Sequence, residues 1–213
     1  MKELFNMINS FGIVPVLVLD DSKNASLAAQ ALIDGGLPCA EIVFRTPAAE
    51  ESMRIISRDF PRILLGAGTV LTTLQVDSAI AAGAKFIVSP GLNSKVVEHC
   101  LSKKIPIIPG CMTPSEIEAA IELGLEVIKF FPAEAAGGIN MLKAISAPYT
   151  HVKFMPTGGI DVSNLSSYLN FNKVTACGGS WMITRELINK GDFKEITRLT
   201  KEAVAAVRKF REG

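Results

Sequence analysis

The chain has 213 residues, of which 48% are hydrophobic and 20% charged, a composition that excludes intrinsic disorder. Its 22 lysines and arginines nearly balance 21 aspartates and glutamates, which leaves a net charge of +1, so no basic surplus indicates binding to nucleic acid or to an anionic membrane. At roughly 150 residues per domain, this length allows one large domain or two small ones.

Short apolar, β-rich runs recur along the chain and predict strands. Most are continuously apolar rather than alternating, as expected for parallel strands that are covered on both faces. The first run starts at residue 13 and the last at residue 174, so the runs are spaced by about 23 residues, the length of one strand–helix unit. The eight predicted strands are residues 13–20, 39–45, 62–68, 86–91, 105–112, 126–132, 151–159 and 174–180.

The segments between these runs carry the start and stop signals of helices. Gly83 follows an alanine pair as a C-terminal stop, and Asn93 precedes an amphipathic turn as an N-cap. Thr113–Glu116 predicts a capping box, with proline at the first helical position. Further helices are predicted over residues 138–146, 163–168 and 193–211.

Eight β/α units in one uninterrupted chain predict a single domain over residues 1–213, a compact (β/α)8 TIM barrel with a short N-terminal helix. The alternative is an open doubly wound sheet, which usually carries a glycine-rich fingerprint after its first strand. Here that strand ends in Leu19-Asp20-Asp21-Ser22, which favours the barrel. Three prolines conflict with it, because proline forfeits a hydrogen bond inside a closed sheet: they are Pro15, Pro106 and Pro109.

The chain shows no signal for export or for membrane insertion. No stretch reaches the roughly 18 apolar residues of a membrane span, and the first six residues do not resemble a signal peptide. The four cysteines (Cys39, Cys100, Cys111 and Cys177) lack CxxC spacing, and we interpret them as reduced thiols of a cytoplasmic protein. With two histidines in the chain, we predict no metal site.

In such a barrel the chemistry lies at the carboxyl ends of the strands, where two lysines are candidate nucleophiles. Lys129 has two apolar neighbours on each side. Burial of a lysine disfavours its ammonium form, so the amine can attack a carbonyl and form a Schiff base. Alternatively, its stem packs on the barrel and its charge reaches solvent. Lys153 has an almost identical context, on the same face as Thr157, so periodicity favours Lys129 only slightly.

Glu41 and Arg45 are predicted to share one face of the second strand, with Cα atoms roughly 13 Å apart. That distance is too long for mutual neutralisation, so each needs another partner. Glu41 lies deeper, where it can serve as general acid/base and counter-charge, while Arg45 at the mouth suits a substrate carboxylate. A structural charge network is the alternative.

Glycine pairs after the seventh and eighth strands stand where such barrels commonly hold phosphate on backbone N–H groups and a short helix. They are Gly158-Gly159 and Gly178-Gly179, followed by the hydroxyl of Ser180, and residues 180–189 can supply the helix. Pro90, after the fourth strand, and Phe131, beside Lys129, complete the predicted substrate-binding residues.

Seven motifs at these strand ends resemble the class I aldolases that act on 2-keto-3-deoxy-6-phosphogluconate and 4-hydroxy-2-oxoglutarate. The motifs, which cover most of the chain, are EIVFRT (41–46), GAGTV (66–70), VSPG (88–91), PGCMTP (109–114), KFFPAE (129–134), PTGGI (156–160) and GGSW (178–181). Members of this family are (β/α)8 barrels and usually trimers, and they use a lysine imine in place of a metal.

The resemblance implies a role for individual residues. It assigns the Schiff base to Lys129 and the acid/base role to Glu41. Arg45 and Thr69 match positions that hold the pyruvyl carboxylate. Thr157 lines the pocket, and the phosphate-binding backbone matches Gly158, Gly159, Gly179 and Ser180.

The expected reaction is reversible cleavage of 2-keto-3-deoxy-6-phosphogluconate to pyruvate and glyceraldehyde 3-phosphate, and of 4-hydroxy-2-oxoglutarate to pyruvate and glyoxylate. Alternatives are a preference for 2-keto-3-deoxy-6-phosphogalactonate, a metal-dependent phosphosugar epimerase on the same barrel, and a phosphosugar-binding barrel without turnover. The sequence leaves the preferred aldol open, because all these aldols share the pyruvyl half.

Overall fold

Strands and helices alternate through residues 2–211, the part of the chain that the computed structural model describes. Each strand lies inside one of the eight predicted runs. The strands are β1 (Ile13–Leu17), β2 (Cys39–Val43), β3 (Leu64–Gly68), β4 (Phe86–Ser89), β5 (Ile107–Pro109), β6 (Val127–Phe130), β7 (Lys153–Pro156) and β8 (Cys177–Gly179).

The helices begin and end largely where the sequence signals place them. The Thr113 side chain accepts a hydrogen bond from the Glu116 backbone N–H, and the Glu116 carboxylate accepts one from the Thr113 backbone N–H, which confirms the predicted capping box. The described helices are α1 (Lys2–Phe11), α2 (Ala25–Asp34), α3 (Ala49–Asp59), α4 (Thr73–Ala81), α5 (Ser94–Ser102), α6 (Pro114–Glu122), α7 (Gly138–Ser146), α8 (Leu165–Leu169), α9 (Arg185–Lys190) and α10 (Phe193–Arg211), with a 3-10 turn at Ser22–Asn24.

Two predicted helices differ in their bounds: α8 spans Leu165–Leu169 instead of 163–168, and the helix after β8 begins later than expected. The helix expected from Ser180 begins instead at Arg185, because Thr184 is the N-cap and its side chain accepts from the Leu187 N–H. Ser180 therefore lies in the connection that leaves β8 rather than in a helix.

The strands form a parallel barrel in chain order. Six of them make one sheet in the order β5-β4-β3-β2-β1-β8, and β6 pairs with β7. Isolated parallel bridges join the two sheets on both sides. Gly110 pairs with Lys129 between the β5 and β6 units. Phe154 pairs with Val174, and Thr157 with Gly178, between the β7 and β8 units. The predicted (β/α)8 architecture and its N-terminal helix are confirmed.

The prolines fit because they stand where pairing changes or ends. Pro15 is the last residue of β1 that pairs with β8, and Val16 is the first that pairs with β2. Pro109 ends the three-residue β5, and Pro106 precedes that strand while its carbonyl accepts from the Ile87 N–H.

No helix within residues 2–211 combines the length and the apolar character needed to cross a bilayer.

Candidate active site

Lys129 and Glu41 meet inside the barrel. Lys129 on β6 is 6% exposed and Glu41 on β2 is fully buried, with 3.9 Å between Lys129 Nζ and Glu41 Oε1. The ring of Phe131 lies against the same amine, 5.0 Å from Nζ to the ring centroid. This amine therefore lies in a largely buried setting beside one carboxylate and one aromatic face.

The Glu41 carboxylate is buried without a hydrogen-bond partner. Neither of its oxygens receives a hydrogen bond from the described residues, which is rare for a buried polar group in a native protein and needs an explanation. Burial raises the pKa of Glu41, against the opposing effect of the Lys129 and Arg45 charges. A carboxyl group with a raised pKa can both accept and return a proton near neutral pH.

Gly68 provides the space for Glu41. A Cβ built on Gly68 would overlap Glu41 Oε1 and come within 2.8 Å of its Cδ. A glycine inside a strand often marks such a close approach, so this neighbour was detectable in the sequence although our sequence analysis assigned it no role.

We expect Gly68→Ala to displace the Glu41 side chain. The substitution should lower the free energy of unfolding by about 1–3 kcal/mol through overpacking and reduce turnover with it. Gly91→Ala is the control for stability, since its added Cβ meets nothing within 4 Å. Urea unfolding of both variants checks the expectation, and equal stabilities would contradict it.

Lys153, the other candidate lysine, lies at the opposite end of the barrel from Glu41 and is not brought together with it. Val127 pairs with Lys153 and Lys129 pairs with Met155, which puts Lys153 two residues nearer the amino-terminal end than Lys129. Its side chain is exposed and donates to the Asn172 carbonyl at 2.7 Å.

That amino-terminal end holds a cavity of about 770 Å³ beside α1. Its lining includes Phe5, Leu125, His151 and Lys153. Apart from Lys153, none of the predicted site residues lines this cavity, and chemistry in (β/α)8 barrels takes place at the other face. We therefore place the active site at the Lys129 end.

Arg45, Thr69 and Pro90 follow three adjacent strands at the carboxyl ends. Arg45 is exposed in the turn after β2, where its charge acts on Glu41. Thr69 follows β3 with φ of +56°, a left-handed conformation that is uncommon for a non-glycine residue and is often found at functional sites. Pro90 follows β4, and a Cβ on Gly110 of the next unit would overlap the Pro90 carbonyl oxygen.

The residues predicted to bind phosphate also come together at this face. Buried Thr157 bridges to Gly178, where an added Cβ would overlap its Oγ1. Gly158 and Gly159 follow with φ of +103° and +75°, which only glycine adopts readily. The Trp181 ring occupies the space beside Gly179, and Ser180 between them is exposed.

Our sequence analysis missed the contact between Glu134 and Tyr168. The Tyr168 hydroxyl donates to Glu134 Oε1 across 34 residues of sequence. Glu134 is the last residue of the KFFPAE motif, but no local signal links it to a tyrosine one unit later. Among residues 2–211, no cluster of three or more His, Cys, Asp or Glu side chains has metal-binding geometry.

Comparison with known proteins gives a consistent picture. The family model "Aldolase: KDPG and KHG aldolase" matches residues 5–199. The chain is 46% identical over 207 residues to the 2-dehydro-3-deoxy-phosphogluconate aldolase of Treponema pallidum (strain Nichols), covering 97% of this chain and 99% of that protein.

Two solved structures are closely similar. One is KDPG aldolase from Legionella pneumophila with pyruvate captured at low pH as a covalent carbinolamine intermediate, at TM-score 0.90, 38% identity and coverage of 93% and 97% of the two chains. The other is 2-keto-3-deoxy-6-phosphogluconate aldolase of Zymomonas mobilis ZM4 with 3-phosphoglycerate, at TM-score 0.91, 37% identity and coverage of 96% of each chain.

Proposed function

The chain belongs to the KDPG and KHG aldolase family, and we propose that Lys129 is the lysine on which it forms its Schiff base. The chain is a lyase of the class I aldolase type, which works through a covalent lysine intermediate rather than a metal cofactor. The contact between buried Lys129 and Glu41, 3.9 Å apart, carries the assignment, because imine formation and proton transfer need an amine and a carboxylate side by side.

The proposed reaction begins with attack of the Lys129 amine on the C2 ketone, and loss of water gives a protonated imine. The imine draws electrons from the C3–C4 bond as Glu41 accepts the proton of the C4 hydroxyl. The C4 fragment leaves as an aldehyde and an enamine remains on Lys129. Glu41 returns a proton to C3, and water releases pyruvate from the lysine.

The other residues bind the two ends of the substrate. The guanidinium of Arg45 and the hydroxyl of Thr69 hold the pyruvyl carboxylate. Pro90, Phe131 and Thr157 line the pocket. The backbone of Gly158, Gly159 and Gly179 and the Ser180 hydroxyl hold phosphate, since positive-φ glycines let N–H groups approach an anion closely.

We propose 2-keto-3-deoxy-6-phosphogluconate as the principal substrate, with pyruvate and glyceraldehyde 3-phosphate as products. The names of the Treponema and Zymomonas relatives support it. The family name also supports cleavage of 4-hydroxy-2-oxoglutarate to pyruvate and glyoxylate.

We further propose one domain, a cytoplasmic location and a homotrimer. A continuous core from Ile8 to Val207 supports one domain, and four buried free thiols support a reducing compartment. Leu71 and Leu74, 50% and 78% exposed beside the start of α4, are apolar surface that a partner subunit would cover. Light scattering of the purified protein tests the trimer.

Borohydride trapping with pyruvate tests the site. We expect one reduced pyruvyl adduct per chain, located on Lys129 by peptide mapping. Lys153 serves as the internal control, and an adduct there would keep the reaction class but overturn the site. Absence of any adduct, together with loss of activity on chelation, would favour a metal-dependent barrel instead.

A further inference from the structure

Glu134 and Tyr168 form a polar contact that the reaction described above does not use. Tyr168 on α8 is fully buried, whereas Glu134 lies in the exposed turn after β6. The tyrosine hydroxyl donates to Glu134 Oε1. Glu134 forms no ion pair among the described residues, and the Tyr168 hydroxyl is the hydrogen-bond donor to its carboxylate.

The Glu134 side chain packs against the turn proposed to hold phosphate. The Ala133 N–H donates to the Thr157 carbonyl at 2.8 Å and the Glu134 N–H to the Gly158 carbonyl at 3.0 Å. A Cβ on Gly159 would stand 2.7 Å from Glu134 Cβ. The Cβ and Cγ atoms of Glu134 therefore pack against Gly159, and its carboxylate reaches the hydroxyl of buried Tyr168.

The Glu134 carboxylate oxygen that accepts from Tyr168 also lies close to Gly138. A Cβ on Gly138 would lie 3.1 Å from Glu134 Oε1 and 3.5 Å from the Tyr168 hydroxyl oxygen. Burial and the neighbouring Glu134 raise the pKa of Tyr168, so the hydroxyl keeps its proton and remains a donor. Without this donor, an uncompensated negative charge would be free to turn toward the glycine turn, where it would repel an anion.

We propose that Tyr168 and Glu134 are positioning residues that determine how well the site accepts a phosphorylated substrate. Tyr168 holds the Glu134 carboxylate beneath the Gly158–Gly159 turn and away from the phosphate. The proposal rests on the proposed function, because it takes that turn as the phosphate site. Its effect is confined to substrates that carry the phosphate.

The test is Tyr168→Phe, assayed with 2-keto-3-deoxy-6-phosphogluconate and with the same aldol lacking its phosphate. We expect KM for the phosphorylated aldol to rise about tenfold, the effect of a lost hydrogen bond to a charged group. The kcat with that substrate, and kcat/KM for the unphosphorylated aldol, should change less than about twofold. Tyr149→Phe is the matched control, since Tyr149 donates to Glu118 Oε1 on the outer surface, at 3.2 Å.

The double variant Tyr168→Phe, Glu134→Gln separates charge from loop structure. Glutamine removes the charge at nearly constant shape, so we expect it to restore KM for the phosphorylated aldol. Failure of that rescue, or equal losses with both aldols, would overturn the proposal in favour of a purely structural role.

Two further results need separate interpretation: a Tyr168→Phe variant that does not fold, and a failure of the proposed function itself. If Tyr168→Phe does not fold, Glu134→Gln alone decides: an unchanged or lower KM for the phosphorylated aldol supports the proposal, and a higher KM overturns it. Wild-type protein that yields no pyruvate adduct on Lys129 instead refutes the proposed function, whereas normal trapping with no substrate-dependent effect of Tyr168→Phe refutes only this inference.

Discussion

Lys129→Ala is expected to abolish aldol cleavage, with a loss of kcat of about 10⁴-fold or more, as found when a covalent nucleophile is removed. In the proposed mechanism the amine supplies the bond that turns the substrate ketone into an electron sink, and no other described lysine reaches Glu41 within ion-pairing distance. Steady-state assays and borohydride trapping with pyruvate measure the loss. The alanine variant should show neither turnover nor adduct.

The fold must survive for this result to be informative. Lys129→Met fills most of the volume that alanine leaves empty, so it serves as a second inactive variant with smaller packing loss. Lys153→Ala is the positive control, because that side chain is exposed at the other end of the barrel. A folded Lys129→Ala variant with near-normal activity would refute the assignment.

Periodicity could not separate these two lysines, because it describes one strand at a time. Both stand among apolar neighbours within a predicted run. The register decides between them: Lys129 pairs with Met155 while Lys153 pairs with Val127. The two-residue offset between the lysines follows from how β6 and β7 pair in the assembled sheet. As a result the Lys129 amine is buried and Lys153 is exposed, although their sequence contexts are similar.

Local signals predicted the features that depend on local physics. The strands follow from continuous apolar runs, and the start of α6 follows from the capping residues Thr113 and Glu116. The same logic failed at Ser180, where Thr184 provides the stronger cap. Contacts between residues far apart in the chain, such as that of Tyr168 on α8 with Glu134 after β6, form only when the barrel closes.

Glu41→Gln is expected to slow aldol cleavage by about 10²–10⁴-fold, the range of general acid–base catalysis. Glutamine keeps the shape of the side chain but cannot accept the C4 hydroxyl proton or return one to C3. Exchange of pyruvate C3 protons with D₂O, followed by NMR, should slow in parallel. Glu126→Gln is the control, since that glutamate is exposed at the amino-terminal end of β6.

The variant also separates proton transfer from imine formation. Lys129 remains in place, so borohydride should still trap pyruvate on it. Unchanged rates of both cleavage and proton exchange would refute the role of Glu41, whereas loss of trapping together with loss of activity would indicate that the substitution disturbs Lys129 itself.

The same substitution should change how the stability of the protein depends on pH. Burial raises the pKa of Glu41 in the folded state above the ordinary value of about 4.3 expected in the unfolded chain. Between these two values the folded state retains a proton that the unfolded state has lost, so stability falls as pH rises through this window. Above the folded-state pKa the penalty is complete, at about 1.4 kcal/mol for each unit of difference.

Glutamine carries no charge at any of these pH values, so Glu41→Gln should lose less stability than the wild type as pH rises from about 4.3. Urea unfolding of both proteins across pH 4–8 measures the difference, and parallel curves would contradict it. A buried carboxylate without a hydrogen-bond partner among the described residues is costly to keep in a folded protein. In the proposed mechanism this carboxylate moves a proton, so the variant whose stability depends less on pH should also be the less active one.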